Sequence, residues 1–267
     1  MPSAMINGVD LYYECDGKGE PLMLVAGLAS DSQSWQPIVE ALSRNYLVIR
    51  PDNRGTGRTT PQDIETSIRQ IADDCIALAQ YLGLPLVTLV GHSMGGFVAL
   101  DCAIRYPERV ANLILAGTSA CNSARNNALF RDWAADLRSS GYSARWFRNI
   151  FYWIFSTGLF DDSDALNQAV RLSIEYPYPQ RDIAFEMQVA AIAGFDCREN
   201  LQAIRAGTLI VCGKQDLLFP PEESIEVLGA IPGARICIVD NAAHAIHIEN
   251  PGAFTDCVLD FLSASRA

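Results

Sequence analysis

The strongest signal along the chain is a set of short apolar runs separated by longer stretches of helical periodicity. Residues 86–90 and 111–116 are continuous apolar runs of the kind found in strands buried on both faces. Residues 21–26, 46–50, 208–212 and 235–239 complete the strand set. Residues 5–15 alternate apolar and polar around Asn7-Gly8, a hairpin signal. Between the runs, apolar positions recur near a 3.6 period over 67–82, and 96–106 reads as a second helix closed by Pro107. Residues 221–228 and 252–262 read as two more. Strands alternating with helices predict an α/β fold with a mostly parallel sheet flanked by helices.

One segment breaks that rhythm. Residues 121–196 show helical patterning and no convincing strand. They also hold more than half of the chain's aromatic residues, with residues 145–155, RWFRNIFYWIF, the densest stretch. The expected organisation is therefore a core of residues 1–120 and 197–267 with a helical cap inserted at 121–196. The aromatics have two compatible uses: a small core for the cap, and an apolar wall over a pocket. Trp146, Phe151, Trp153 and Phe155 are the candidate pocket residues on this reading.

Composition narrows the class. A length of 267 residues suffices for a large single core, and 49% hydrophobic with 19% charged residues is ordinary for a globular chain. The net charge of −11 argues against a nucleic-acid surface, which needs clustered Lys and Arg. No run approaches the 18 or so apolar residues of a membrane span, and residues 1–10 carry no basic stretch leading an apolar one. A cytoplasmic protein with no membrane or nucleic-acid partner is expected. The eight cysteines form no C-x-x-C pair, so they read as buried, reduced thiols. His92, His244 and His247 are the chain's three histidines, and no zinc spacing is present, so neither metal nor cofactor is expected.

The candidate chemistry starts at GHSMGG, residues 91–96, where an apolar strand hands over to a helix. A serine on a one-residue turn between strand and helix is forced into a strained conformation. The residues two before and two after must then be very small, and both Gly91 and Gly95 are. The turn lifts the Ser93 hydroxyl above the carboxyl end of the sheet and aims a helix N-terminus at the same point. A serine nucleophile needs a base, and the base an orienting acid, in the chain order Ser, Asp, His for this geometry. Asp216 follows the strand at 208–212, and His244 follows the strand at 235–239. His247 is the competing base, better read as a packed or capping histidine. Asp240 is a competing acid, too close in sequence to His244 for easy pairing. His92 is expected to point away from the serine. The backbone N–H groups of Met94 and of Leu28, beside Gly27, are the expected oxyanion hole.

Taken in order, GLASDSQSW, RPDNRGTGRTT, GHSMGG, GKQDLLFP and AAHAIHIENP resemble the motifs of the α/β-hydrolase fold family over nearly the whole chain. The resemblance implies a serine hydrolase, and the small lidded enzymes similar to 3-oxoadipate enol-lactonase are the nearest in look. It also implies that Asp52 and Arg54 hold loops near the site. Where the family usually reads His-Gly, this chain has Ala26-Gly27, which removes a side chain but leaves the backbone donor. Ser93 at the elbow argues against the family's haloalkane dehalogenases and epoxide hydrolases, which carry Asp there. The expected reaction is hydrolysis of a small carboxylic ester or lactone through an acyl-enzyme. A thioester, a C–C bond next to a ketone, or perhydrolysis are alternatives for the same serine, and a ligand receptor of the same fold is a more distant one. Oligomeric state is not readable from the sequence.

Overall fold

The computed structural model describes residues 2–264; positions 1 and 265–267, which the expected core includes, lie outside the described residues. The chain opens with a hairpin, β1 (Ser3–Ile6) and β2 (Val9–Asp16), turning at Asn7-Gly8 as the alternation predicts. β3 (Glu20–Val25), helix α1 (Gln36–Ser43), β4 (Tyr46–Pro51), α2 (Ile68–Tyr81), β5 (Val87–His92), α3 (Met94–Arg105) and β6 (Val110–Ala116) follow. Five helices come next: α4 (Ala124–Ser140), α5 (Ala144–Ile154), α6 (Thr157–Asp161), α7 (Ser163–Ile174) and α8 (Asp182–Ala193). The chain then returns through β7 (Gly207–Gly213), α9 (Pro221–Leu228), β8 (Arg235–Val239), α10 (Ile246–Glu249) and α11 (Pro251–Ala264).

The eight strands form one sheet in the order β1-β2-β4-β3-β5-β6-β7-β8. β1 and β2 join antiparallel, and β4 through β8 pair in parallel. This is the α/β-hydrolase architecture. The strands are apolar on both faces because helices cover both. Leu89, Leu113, Leu115 and Ile210 face the core under α2 and α3. Val90, Ile114, Leu209 and Val211 face a second core under α1 and α11. The strand order reverses between β3 and β5, so their following loops part at the carboxyl edge and leave a crevice there.

Three details differ from the sequence pattern. Helix α1 is not among the expected helices, although its buried Ile38, Val39 and Leu42 share one face at helical spacing. β8 is an edge strand, so Ile236 and Ile238 are about half exposed rather than buried. The cysteines are not uniformly buried, reduced thiols. Cys237 of β8 is disulfide-bonded to Cys257 of α11, Cys15 is exposed, and only Cys75, Cys102, Cys197 and Cys212 are both free and buried. The reason is packing: α11 lies across the edge strand, which brings together two residues 20 apart in sequence.

The helices α4–α8 leave and re-enter the sheet at one place. Cys121 and Asp196 pair as an antiparallel bridge, and Cys197 N–H donates to Ala120 O at 3.0 Å. No helix among the described residues is long and apolar enough to cross a membrane.

Candidate active site

β5 runs straight into the elbow. Ser93 adopts φ 54°, ψ −119°, a left-handed conformation that a side chain rarely takes, and α3 starts at the next residue. The surroundings hold it there. Ser93 N–H donates to Ala116 O at 2.9 Å, and its carbonyl accepts from Gly96 N–H at 2.9 Å and from Thr118 Oγ1 at 2.8 Å. A methyl group at Gly91 would collide with the Gly95 carbonyl, and one at Gly95 with the Val25 carbonyl. The glycines therefore serve close approach of elbow, helix and β3.

The loop after β7 carries Asp216 and the loop after β8 carries His244, both at least 95% buried. Asp216 Oδ1 accepts from the Leu218 and Phe219 N–H groups at 2.8 and 2.9 Å. Its Oδ2 lies 2.9 Å from His244 Nδ1. A carboxylate accepts, so Nδ1 carries the proton and Nε2 of His244 is left as an acceptor. The Phe219 ring stacks on the imidazole at 5.7 Å. Ser93 and His244 line one small pocket of about 90 Å³.

The other two histidines sit against His244. His92 Nε2 donates to the His244 carbonyl at 2.8 Å, so His92 braces the loop rather than simply pointing away. Burial, with His247 and His244 beside it, keeps His92 well below the usual histidine range. His247 is packed on Trp35 at 4.3 Å, and neither of its ring nitrogens has a hydrogen-bond partner among the described residues. Burial drives it down to about 3, so it is a neutral packed ring with no carboxylate to orient it. Asp240 is exposed and pairs with Lys214 at 2.7 Å, away from His244.

A residue the sequence reading passed over ties this loop down. Glu249 Oε2 accepts from Ala243 N–H at 2.7 Å and its Oε1 from Ser156 N–H at 2.8 Å. Ala245 N–H donates to Ile154 O at 2.9 Å. The residues flanking His244 are thereby bonded to the end of α5. The signal was a lone carboxylate in HIEN beside the histidines, which sequence alone does not distinguish from a solvated one.

Leu28 lines the pocket on the loop after β3, and Met94 opens α3. Asp52 and Arg54 do hold loops: Asp52 accepts from Ser32 N–H at 2.9 Å and Arg58 N–H at 2.8 Å, and Arg54 pairs twice with Asp74 at 2.9 Å. No group of three or more His, Cys, Asp or Glu among the described residues is arranged to hold a metal ion.

The pocket wall is not the one expected. Phe130, Trp133, Ile150, Ile154, Phe185 and Leu218 line it, and Trp146, Phe151, Trp153 and Phe155 do not. The apolar arc of α5 is wide, and only its middle, Ile150 and Ile154, opens on the serine. Trp146 donates to Trp133 O at 2.9 Å and lines a neighbouring cavity. Phe151 packs edge-on against Phe155, and Phe155 lines a separate surface cleft. Trp153 lies under the Arg125 guanidinium at 5.8 Å. Aromatic density marked the segment but not its facing.

Residues 20–251 match the sequence profile described as the alpha/beta hydrolase fold. The chain is 30% identical over 261 residues to a protein of Azorhizobium caulinodans named "Putative carbamate hydrolase RutD", covering 98% of each. Its structure is similar to that of a thermophilic esterase from Thermogutta terrifontis, with a TM-score of 0.87, 26% identity and 99% and 97% of the two chains covered. It is also similar to the enol-lactonase from Burkholderia xenovorans LB400, with a TM-score of 0.88, 27% identity and coverage of 98% and 100%.

Proposed function

This chain belongs to the α/β hydrolase fold family and is a hydrolase, and on that premise we propose that it cleaves a small carboxylic ester or lactone through an acyl-enzyme on Ser93. The observation that carries the reading is the buried Asp216–His244 pair, 2.9 Å apart, whose His244 lines the same pocket as a serine held at φ 54°. His244 Nε2 takes the Ser93 proton as Oγ attacks the carbonyl carbon. Asp216 fixes the tautomer and stabilises the imidazolium. The Leu28 and Met94 N–H groups receive the oxyanion, each lowering the barrier by about 3 kcal/mol. The imidazolium then protonates the leaving oxygen. His244 next activates water, and the acyl group departs as the acid.

Residues 121–196 act in this reading as a cap that closes the pocket from above and restricts water. The narrow apolar pocket favours a small or slender group at the reacting carbonyl. A second reading has one supporting observation, the carbamate hydrolase named among the relatives. The same atoms would then attack a carbonyl bearing nitrogen, and His244 would protonate a leaving amine.

The test compares Ser93→Ala with the native chain on p-nitrophenyl acetate and on a panel of esters, lactones, thioesters and carbamates. A fall in kcat/KM of about 10⁴-fold or more is expected for Ser93→Ala. Native-like turnover in that variant would contradict the reading, and the panel ranks the acyl classes.

A further inference from the structure

Beside the small serine pocket lies a larger cavity of about 650 Å³ between the core and the inserted helices. The two share Ala29, Ser30, Ser34 and Ile248, so the larger cavity lies directly beside the serine pocket. The cavity wall contains a single formally charged side chain, Asp31. Asp31 sits three residues beyond Leu28 on the same loop and is 93% buried. Oδ1 accepts from Gln33 N–H at 2.9 Å and Oδ2 from the Tyr176 hydroxyl. A carboxylate offers about four acceptor directions, so each oxygen retains capacity.

Among the described residues no cationic side chain hydrogen-bonds to Asp31. The Arg58 guanidinium acts on it through space and lies 5.0 Å from the Tyr178 ring centroid, yet its directed bonds go elsewhere. They reach Asp52, Glu14, the Tyr12 hydroxyl and Ser32 Oγ, at 2.6–3.4 Å. Arg58 does not line the cavity, and it is committed against any incoming anion. Burial, and then the Asp52 carboxylate, push Asp31 up from the usual carboxylate range, which is the mark of an under-compensated charge.

Two further observations point the same way. Gln180, 94% buried, lines the cavity, and its Nε2 donates to Gly55 O at 2.8 Å and Gln188 Oε1 at 3.0 Å. Those bonds fix the amide and leave Oε1 an acceptor without a partner among the described residues. The remaining wall is rich in aromatic rings: Tyr142, Trp146, Phe147, Tyr176 and Tyr178. Ring faces beside a single buried carboxylate, in a wall with no cationic side chain, suit a cation better than an anion.

We propose that this cavity is a substrate subsite for an organic ammonium group, held by Asp31 and by the aromatic wall, on an ester whose carbonyl lies at Ser93. The inference rests on the serine-hydrolase reading for its kinetic test but not for its binding test. The ammonium gains the Asp31 charge and the ring faces.

The experiment has two arms. In the first, kcat/KM is measured for p-nitrophenyl esters of three acyl chains of equal length, ending in trimethylammonium, tert-butyl and carboxylate. The ammonium ester is expected to exceed its uncharged isostere by about tenfold, with the carboxylate ester poorest. In Asp31→Asn, which keeps the acceptor for Gln33 N–H, the ammonium to tert-butyl ratio falls towards one, mainly through KM. Equal rates in the native chain, a preference for the carboxylate, or a ratio unchanged in Asp31→Asn would overturn the proposal. In the second arm, calorimetry measures phenyltrimethylammonium binding to Ser93→Ala with and without Asp31→Asn. Binding that requires Asp31 supports the subsite even if no ester is turned over, in which case the hydrolytic reading alone fails. Absence of binding overturns the subsite even if esters are cleaved.

Discussion

The loops at the carboxyl edge of the sheet and the helices inserted between β6 and β7 are built on different principles. Each loop inherits its position from a strand. β5 delivers Ser93, β7 delivers Asp216 and β8 delivers His244, and parallel pairing sets their spacing. The inserted helices have no such frame. They are held by side-chain bonds to the core at separate points: Glu249 at the end of α5, Gln188 to Arg54 O, and Tyr176 to Asp31. Chemistry placed on the first region tolerates divergence in the second. On the proposed reading, that division lets one edge of the sheet keep its reaction while the inserted helices select what reacts.

The largest effect that can break this comparison lies in the loops. His244→Ala is expected to lower kcat/KM on p-nitrophenyl acetate by about 10⁴-fold or more. His247→Leu, a change at a packed ring, retains most activity in the same assay. The reverse result would move the base from one loop position to the other.

Next comes the joint between the regions. Glu249→Gln removes a charge and one of two bonds to backbone N–H groups, at about 2 kcal/mol. It is expected to lower the melting temperature by several degrees and kcat by about tenfold, with a smaller change in KM. A change in KM alone would show that the inserted helices, not the histidine loop, depend on Glu249.

A comparable effect is read through pH. His247 titrates near 3 in the folded chain, against about 6.5 when unfolded. Between those values the unfolded chain binds the additional proton, so this residue's contribution to stability is intact above about pH 6.5 and is lost progressively down to about pH 3. Between pH 7 and 5 that amounts to about 2 kcal/mol. Asp101, raised to about 6 by burial, acts in the opposite sense. The measurement is therefore the difference in urea midpoint between the native chain and His247→Leu at the two pH values. Equal slopes would show that His247 is not held neutral.

The smallest effect sharpens the cover. Ile154→Ala is expected to raise KM for hexanoate and longer esters several-fold, while Phe155→Ala leaves KM within about twofold. Equal effects would mean that the pocket wall is not the one described.

The same division decided what could be read in advance. The strands were legible because burial on both faces makes β5 and β6 continuous apolar runs, and GHSMGG stood at a strand end where small residues have a steric purpose. Asp216 and His244 were picked out by strand ends together with the Ser, Asp, His chain order, and their side chains lie 2.9 Å apart. The inserted helices were legible only as a segment. Which side of α5 meets the serine depends on the seat of the whole helix, fixed by bonds from Glu249 and Ala245 that no local pattern records. The aromatic residues chosen from density therefore lay to either side of Ile150 and Ile154. The Cys237–Cys257 disulfide was hidden for a related reason, since it depends on α11 crossing the edge strand.

The central claim is that Ser93 is the nucleophile, and its most direct measurement is covalent. The native chain is treated with a fluorophosphonate and digested, and the adduct is located by mass spectrometry. One phosphonyl group on Ser93 is expected, with labelling lost in Ser93→Ala and slowed at least about 10³-fold in His244→Ala. An unlabelled chain, or an adduct on any other residue with Ser93 unmodified, would contradict the account.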